Sequence, residues 1–171
     1  MSGAPTASPA ATTPREVIEE RVRALIALRI AGRREESVAY YAPNVALEYP
    51  APAPLRPYAG RFEGLEAIAQ LRRAFTIETE LIEDQLLDLI IEGDVCMTRR
   101  RVTYRNRGAD APLSFYVWER YQFENGLVRE LVQQVDTACF ARIVGRLEAL
   151  ASWGAEQPGD EELDNDQPRL G

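Results

Sequence analysis

Two strand patterns joined by Asn125-Gly126 limit what this chain can fold into more than any other feature. The stretch VWERYQFENGLVRELVQQV, residues 117–135, is rich in apolar residues on both sides of that dipeptide. Asn-Gly favours a two-residue hairpin turn, because both turn positions have positive φ and these residues adopt it most readily. Such a turn pairs Glu124 with Leu127. The sequence therefore predicts a long antiparallel hairpin.

The rest of the chain predicts an α+β domain. Two N-terminal helices precede a strand ending at Tyr49, a proline-rich loop, a brief strand and a helix from Gly64 to about Thr79. Strand patterns follow over residues 81–92, 95–104, 113–124 and 127–135, and one helix over 138–150. A mostly antiparallel sheet needs cover on one face. We predict a cone-shaped half-barrel, with N-terminal helices packed on a curved sheet, in the order α-α-β-β-α-β-β-β-β plus a C-terminal helix.

Charge is distributed unevenly along the 171 residues. Of the net charge of -7, residues 155–171 contribute six acids and one base, so that only -2 is left for the rest. No basic stripe remains to contact phosphates, which excludes a nucleic-acid partner. We expect a disordered N-terminus over residues 1–12, one folded domain over 13–153 and a disordered acidic tail over 154–171.

The absence of several sequence features limits the classes of function that the chain can have. No apolar run approaches the roughly 20 residues that span a bilayer, and no secretory signal begins the chain, so we expect a cytoplasmic protein without membrane contact. The sequence has no His and no Lys, which excludes histidine-dependent nucleophiles, Schiff-base chemistry and histidine metal sites. Acid-base chemistry would then use Asp, Glu, Tyr or Cys. Two distant cysteines, Cys96 and Cys139, match no metal spacing. We expect neither metal nor cofactor.

The element order and the local sequences YYAPNVALEYP, PYAGRFEGLEAI and FENGLVRELVQQVDTA resemble the nuclear-transport-factor-like superfamily, particularly its SnoaL-like and ketosteroid-isomerase-like members. The resemblance covers roughly residues 14–150, so the domain over 13–153 is expected to be SnoaL-like. It implies a cone-shaped fold with an internal pocket. It leaves open isomerases, polyketide cyclases, hydrolases and non-catalytic binding modules.

Ketosteroid isomerases place their catalytic Asp immediately before the proline that matches Pro50. Here that position is Tyr49, and the position of their oxyanion-hole tyrosine is Leu25. Both groups are missing, so steroid isomerisation by that mechanism is not expected.

Limonene-epoxide-hydrolase-like relatives use an Asp-Arg-Asp set to hold a water. Asp136 matches the last Asp and Arg101 the Arg, whereas Thr103 replaces the first Asp. The resemblance therefore implies that Asp136 is an acid or base and that Arg101 stabilises an anion. Asp-Thr before an Ala-rich helix is also an ordinary N-cap signal, so Asp136 has a purely structural alternative.

A second predicted hairpin offers a substitute for the missing acid. If Gly93-Asp94 is the complete turn, Asp88 lies opposite Arg99, and Asp84 lies near Arg101. The alternative is that these charges form cross-strand ion pairs on a solvent or dimer face.

The sequence-based hypothesis is a homodimer, joined through the outer sheet face, with a mostly apolar pocket for a small cyclic or polyketide-like molecule. The reaction would be a cofactor-free isomerase, cyclase or hydrolase step, with Asp136 and Arg101 as catalytic residues. The alternative is a non-catalytic ligand-binding or assembly domain of the same fold. The predicted substrate-binding residues are Tyr41, Tyr49, Phe115, Glu119, Gln134 and Asp88.

Overall fold

The computed structural model describes residues 12–109 and 111–156. The N-terminal half contains helix α1 (Arg15–Ile30), a 3₁₀ helix (Arg34–Tyr40), strand β1 (Tyr41–Tyr49), a short 3₁₀ turn (Ala53–Leu55), β2 (Gly60–Glu63) and helix α2 (Gly64–Glu78). The C-terminal half contains β3 (Thr79–Glu92), β4 (Val95–Asn106), β5 (Leu113–Glu124), β6 (Leu127–Val135), α3 (Thr137–Ile143) and α4 (Leu147–Glu156).

The strands form one six-stranded sheet in the order β2-β1-β6-β5-β4-β3. Every neighbouring pair is antiparallel except β1 and β6, which run parallel. The sheet is curved and unclosed, and α1 and α2 pack on it, which confirms the predicted α+β half-barrel. Within the described ranges, no helix is both long and apolar enough to cross a membrane.

The hairpin that joins β5 and β6 has the predicted turn, but its register changes beyond it. Asn125 and Gly126 have φ of 51° and 77°, and Glu124 pairs with Leu127. A bulge at Arg129 then adds one residue to β6, so that Glu119 pairs with Gln133. Because side chains alternate between the two faces of a strand, this single residue reverses which face the end of β6 presents.

A similar bulge changes β3. Asp88 pairs with Arg99 as predicted, but the extra residue Leu87 makes Leu86 pair with Arg100 and not with Arg101. Residues 83–86, which lie between this bulge and a second one at Ile82, therefore face opposite to the regular prediction. Asp84 consequently lies buried on the inner face, the one covered by the helices.

The single helix predicted over 138–150 is wrong, since two short helices occupy this region. Gly145 has φ of 64°, and the N–H of Arg146 donates to the Ala141 carbonyl at 2.7 Å, as in a glycine-terminated helix end. The second helix extends to Glu156, so residues 154–156 of the predicted tail are helical. The remaining segments expected to be disordered, 1–11 and 157–171, lie outside the described residues.

Candidate ligand-binding site

A cavity of about 120 Å³ lies between the helices and the inner face of the sheet. One side of it is aromatic. The Tyr49 and Phe140 rings meet edge to face at 4.8 Å between centroids, Phe75 stacks on Phe140 at 5.7 Å, and Tyr104 meets Phe75 at 5.2 Å. An engineered apolar cavity of about 150 Å³ accepts benzene, so this space is of the size of one ring. The aromatic residues of the wall are Tyr49, Tyr58, Phe75, Tyr104, Phe115 and Phe140.

The rest of the wall contains four arginines, so the expectation of a mostly apolar pocket is incomplete. They come from four different elements: Arg29 from α1, Arg34 from the 3₁₀ helix, Arg72 from α2 and Arg100 from β4. No Asp or Glu of the described chain lines the cavity with them. The site is therefore an aromatic slot with a cationic side.

Two of these arginines belong to a buried ion cluster. Arg100 donates to Glu119 through Nε at 3.0 Å and Nη2 at 2.8 Å, and its Nη1 donates to Asp84. Arg29 Nη1 lies 3.5 Å from a carboxylate oxygen of each acid. Tyr121 completes the cluster by donating its hydroxyl to Glu119 at 2.6 Å. Two positive and two negative charges are therefore balanced in the interior. The two arginines are part of the cavity wall, whereas the two carboxylates are not.

The environment of Glu119 makes it a poor proton acceptor. Burial by itself raises the pKa of a carboxyl group, but the charges of Arg100 and Arg29 and the Tyr121 hydrogen bond outweigh burial and lower the pKa of Glu119 to about 2. Glu119 is thus held ionised as a structural counter-ion. It lies in the ion cluster and not in the cavity wall, contrary to its predicted role in substrate binding.

The Tyr49 hydroxyl is a buried polar group on the aromatic side of the cavity. Its side chain is 5% exposed, and its hydroxyl has no hydrogen-bond partner among the residues that the structure describes. Burial raises the pKa of Tyr49, and the negative charge of nearby Asp136 raises it further. The hydroxyl therefore keeps its proton at neutral pH and is available as a hydrogen-bond donor.

Three predicted site residues, Tyr41, Tyr49 and Phe115, line the cavity. Gln134 does not: it is exposed, and its neighbour Gln133 lies in the wall. The cause is the bulge at Arg129, which moves the inward-facing position by one residue.

Arg101 and Asp88 lie on the outer face of the sheet, away from the cavity. Arg101 is exposed, and its Nη2 is 3.6 Å from Glu83. Asp88 accepts from Arg99 Nε at 2.6 Å. The prediction that these residues join the site is therefore wrong in placement, because in β4 the inward positions are those of Arg100 and its even-numbered neighbours. For Asp88 and Arg99, the alternative of a cross-strand ion pair describes the contact.

Asp136 caps α3. Its Oδ1 accepts from the Cys139 N–H at 2.9 Å, the side chain is exposed, and it is not part of the cavity wall. The structural alternative for Asp136 thus accounts for its hydrogen bond. Its predicted role as a catalytic acid or base receives no support from this position.

Sequence reasoning missed Arg29, Arg34, Arg72 and Arg100. A signal existed for Arg100, since Cys96, Thr98, Val102 and Tyr104 share its parity in β4 and mark an apolar, core-facing row. Nothing comparable marks the helical arginines, which are among many on amphipathic segments. Among the described residues, no group of three His, Cys, Asp or Glu side chains is arranged to hold a metal ion.

Comparison with known proteins agrees with this architecture. The sheet, the helices and the internal cavity define an α+β cone of the nuclear-transport-factor-like type. Residues 22–131 match the family model described as SnoaL-like domain, and the chain belongs to that family. No curated protein matches the chain in sequence.

Solved structures share the fold at low sequence identity. A protein from Rhodopseudomonas palustris, provisionally described as an isomerase, is 19% identical with a TM-score of 0.65, over 78% of this chain and 100% of that one. A second, from Bacillus subtilis and described in the same way, is 14% identical with a TM-score of 0.68, over 76% and 94%. TerC, co-crystallised with polyporic acid, is 14% identical with a TM-score of 0.66, over 75% and 98%.

Proposed function

We propose that this SnoaL-like domain binds a small cyclic molecule in the cavity, with the ring against the aromatic side and an oxygen of the ligand near Tyr49. The observation that carries the proposal is the buried Tyr49 hydroxyl, which has no hydrogen-bond partner within residues 12–109 and 111–156. A buried hydroxyl that makes no hydrogen bond is unfavourable by about 1–3 kcal/mol, and a ligand oxygen would remove that cost. Family membership and the structure of TerC with polyporic acid also support a small-molecule ligand.

A panel of ring-sized fragments, screened by ligand-observed NMR, tests this proposal. We expect fragments that bear a carbonyl or hydroxyl group to bind the wild-type protein. The cavity-filling substitution Val117→Phe should abolish that binding, because Val117 is part of the wall. Leu147→Phe on the exposed surface of α4 is the matched control, and it should leave binding unchanged. Binding that survives in a folded Val117→Phe variant would contradict the proposal.

A cofactor-free isomerase or cyclase step is the second candidate, and the protonated state of Tyr49 favours it. A neutral phenol can donate a hydrogen bond to a carbonyl oxygen as negative charge develops on it during enolisation. Since no carboxylate of the described chain lines the cavity, the proton that leaves the carbon would pass to water or to another group of the substrate. Two structural relatives described provisionally as isomerases agree with this class of chemistry.

Exchange of the α-protons of cyclohexanone in D₂O, followed by NMR, separates catalysis from binding. If the domain enolises a bound ketone, wild-type protein accelerates the exchange over buffer and Tyr49→Phe does not. Equal exchange with and without protein would leave the binding function and reject the enzymatic one.

We also propose a homodimer through the outer face of β3, β4 and β5. This face exposes Ile90, Met97, Tyr116 and Trp118, and the Arg99 guanidinium lies 5.6 Å above the Trp118 ring. Apolar groups interspersed with both signs of charge suit a two-fold interface, in which one patch must complement itself. In sedimentation velocity, Trp118→Glu should yield monomer, whereas Ile77→Glu on α2 should not. A monomeric wild-type protein would contradict the dimer.

A further inference from the structure

The four cavity arginines are not equally neutralised. Arg29 and Arg100 share Asp84 and Glu119 in the ion cluster. Arg34 donates to the Thr76 hydroxyl at 2.8 Å, which carries no charge. The cationic side of the cavity therefore has more positive charge than its acids balance.

Arg72 also lacks a carboxylate. It donates to the Ser37 hydroxyl at 2.8 Å and to the Tyr41 hydroxyl at 2.6 Å, and its guanidinium stacks on the Tyr41 ring at 4.7 Å. In the part of the chain that the structure describes, neither Arg72 nor Arg34 forms an ion pair with an acid. These contacts hold the Arg72 guanidinium group in place without neutralising its charge.

Arg34 and Arg72 stand where the cavity meets the outside. A groove of about 600 Å³ runs between the 3₁₀ helix and α2, and it shares Arg34, Tyr41 and Arg72 with the cavity wall. We call the junction formed by these three residues the neck. A ligand that enters the cavity along the groove passes the neck, so both guanidinium groups can contact it.

The environment of Arg34 fits an unbalanced positive site. Burial lowers the pKa of Arg34, and the charges of Arg29 and Arg72 lower it further, against the raising effect of Tyr104. Water and salt screen the charge of an exposed arginine, whereas the charge of a half-buried arginine is screened much less. An anion at the neck would compensate it.

We propose that the ligand of the cavity carries an anionic group, a carboxylate or an enolate, that binds Arg34 and Arg72 at the neck while its ring occupies the aromatic side. Guanidinium groups bind carboxylates through paired, charge-assisted hydrogen bonds, which are stronger and more directional than bonds between neutral groups. The proposal rests on the proposed ligand-binding function and defines its substrate class as small cyclic acids. Glu35 and Glu36 line the groove but not the cavity, and Glu36 is paired with Arg33, so the neck itself stays cationic.

Benzoate and benzamide test the charge requirement, because they have the same ring and nearly the same shape and differ in charge. Each is titrated into isotope-labelled protein and followed by heteronuclear NMR. We expect benzoate to bind about tenfold or more tightly than benzamide, as is typical when a hydrogen bond to a charged group replaces a neutral one. Sodium chloride should weaken the binding of benzoate and not that of benzamide.

Arg34→Gln and Arg72→Gln should each remove most of the preference for benzoate. Arg101→Gln is the matched control, since it removes the same charge from the outer face of the sheet. Arg72 also donates to Ser37 and Tyr41, so circular dichroism must show that its variant is folded. Arg34, which donates to the Thr76 hydroxyl, gives the independent measurement.

The outcomes separate the inference from the function on which it rests. Equal binding of both probes, or a benzoate preference that persists in Arg34→Gln and in folded Arg72→Gln, would overturn the anionic ligand and leave cavity binding intact. Failure of both probes, together with failure of the neutral fragments, would overturn the proposed function as well. A preference lost in the neck variants and kept in Arg101→Gln would support the inference.

Discussion

Asp84 and Arg100 meet inside the half-barrel because a bulge at Leu87 turns Asp84 inward. Regular pairing from the Gly93-Asp94 turn would place Asp84 opposite Thr103, on the outer face. The observed partner of Asp84 is Val102, and its side chain is fully buried next to the Arg100 guanidinium. One additional residue in β3 thus brings together the ion cluster whose arginines, Arg29 and Arg100, form part of the cavity wall.

Removal of one acid from this cluster should destabilise the protein strongly. Asp84→Asn leaves two buried guanidinium groups with one carboxylate, and uncompensated buried charges of this kind lower the free energy of unfolding by about 3–5 kcal/mol. Asp88→Asn, on the same strand but in an exposed ion pair, should lower it by less than about 1 kcal/mol. Urea denaturation measures both. Similar losses in the two variants would contradict the assignment of a buried cluster.

The lowered pKa of Glu119 predicts a loss of stability in acid. Its folded-state pKa of about 2 lies below the ordinary value of 4.5, so its contribution is fully present above about pH 4.5 and decreases as pH falls towards 2. Unfolding by urea between pH 7 and pH 2 should show this decrease. In Glu119→Gln, the slope between pH 4.5 and pH 2 should be shallower; an unchanged slope would exclude Glu119 as its source.

Capping of α3 predicts different effects for two substitutions of Asp136. Asn can accept the Cys139 N–H bond, so Asp136→Asn should retain nearly wild-type stability, whereas Asp136→Ala should lose about 1 kcal/mol. Neither should change fragment binding in the cavity. Loss of cyclohexanone exchange in a stable Asp136→Asn variant would instead identify Asp136 as a catalytic group.

The unpaired Tyr49 hydroxyl predicts opposite effects on stability and binding. Tyr49→Phe should leave the ligand-free protein as stable as wild type or more stable by up to about 1 kcal/mol, because a buried donor without a partner is removed. Its affinity for carbonyl fragments should fall. Tyr121→Phe is the contrasting variant, since that hydroxyl donates to buried Glu119, and it should destabilise the protein by about 1–3 kcal/mol. Calorimetric melting compares the two.

The helices and strands could be predicted from the sequence, but which side chains of each strand face the cavity could not be predicted for every strand. The limits of β5 and β6 and both two-residue turns follow from apolar patterning and from Asn125-Gly126 and Gly93-Asp94. Of the residues predicted to bind substrate, Tyr41, Tyr49 and Phe115 lie in the cavity wall.

The bulges in β3 and β6 explain the positions of Asp84 and Gln134, whereas Arg101 and Asp88 were expected on the wrong face of the sheet. Neither Leu87 nor Arg129 is a glycine, so residue type does not indicate either bulge in the sequence. Side chains beyond a bulge change face until the next register shift, so Gln133 and not Gln134 lies in the cavity wall, and Asp84 points inward. The arginines of the neck come from the 3₁₀ helix and α2, so their positions depend on how these helices pack over the sheet.

The parallel pairing of β1 with β6 determines when the binding site can form during folding. Leu47 and Leu131 are partners across this pair although they are 84 positions apart in the sequence, and both line the cavity. Contacts between distant segments form late, because closing the long loop between them has a large entropic cost. A nascent chain therefore lacks this wall until its last strand has been synthesised, and in refolding experiments the capacity to bind a fragment should appear after most of the strand structure.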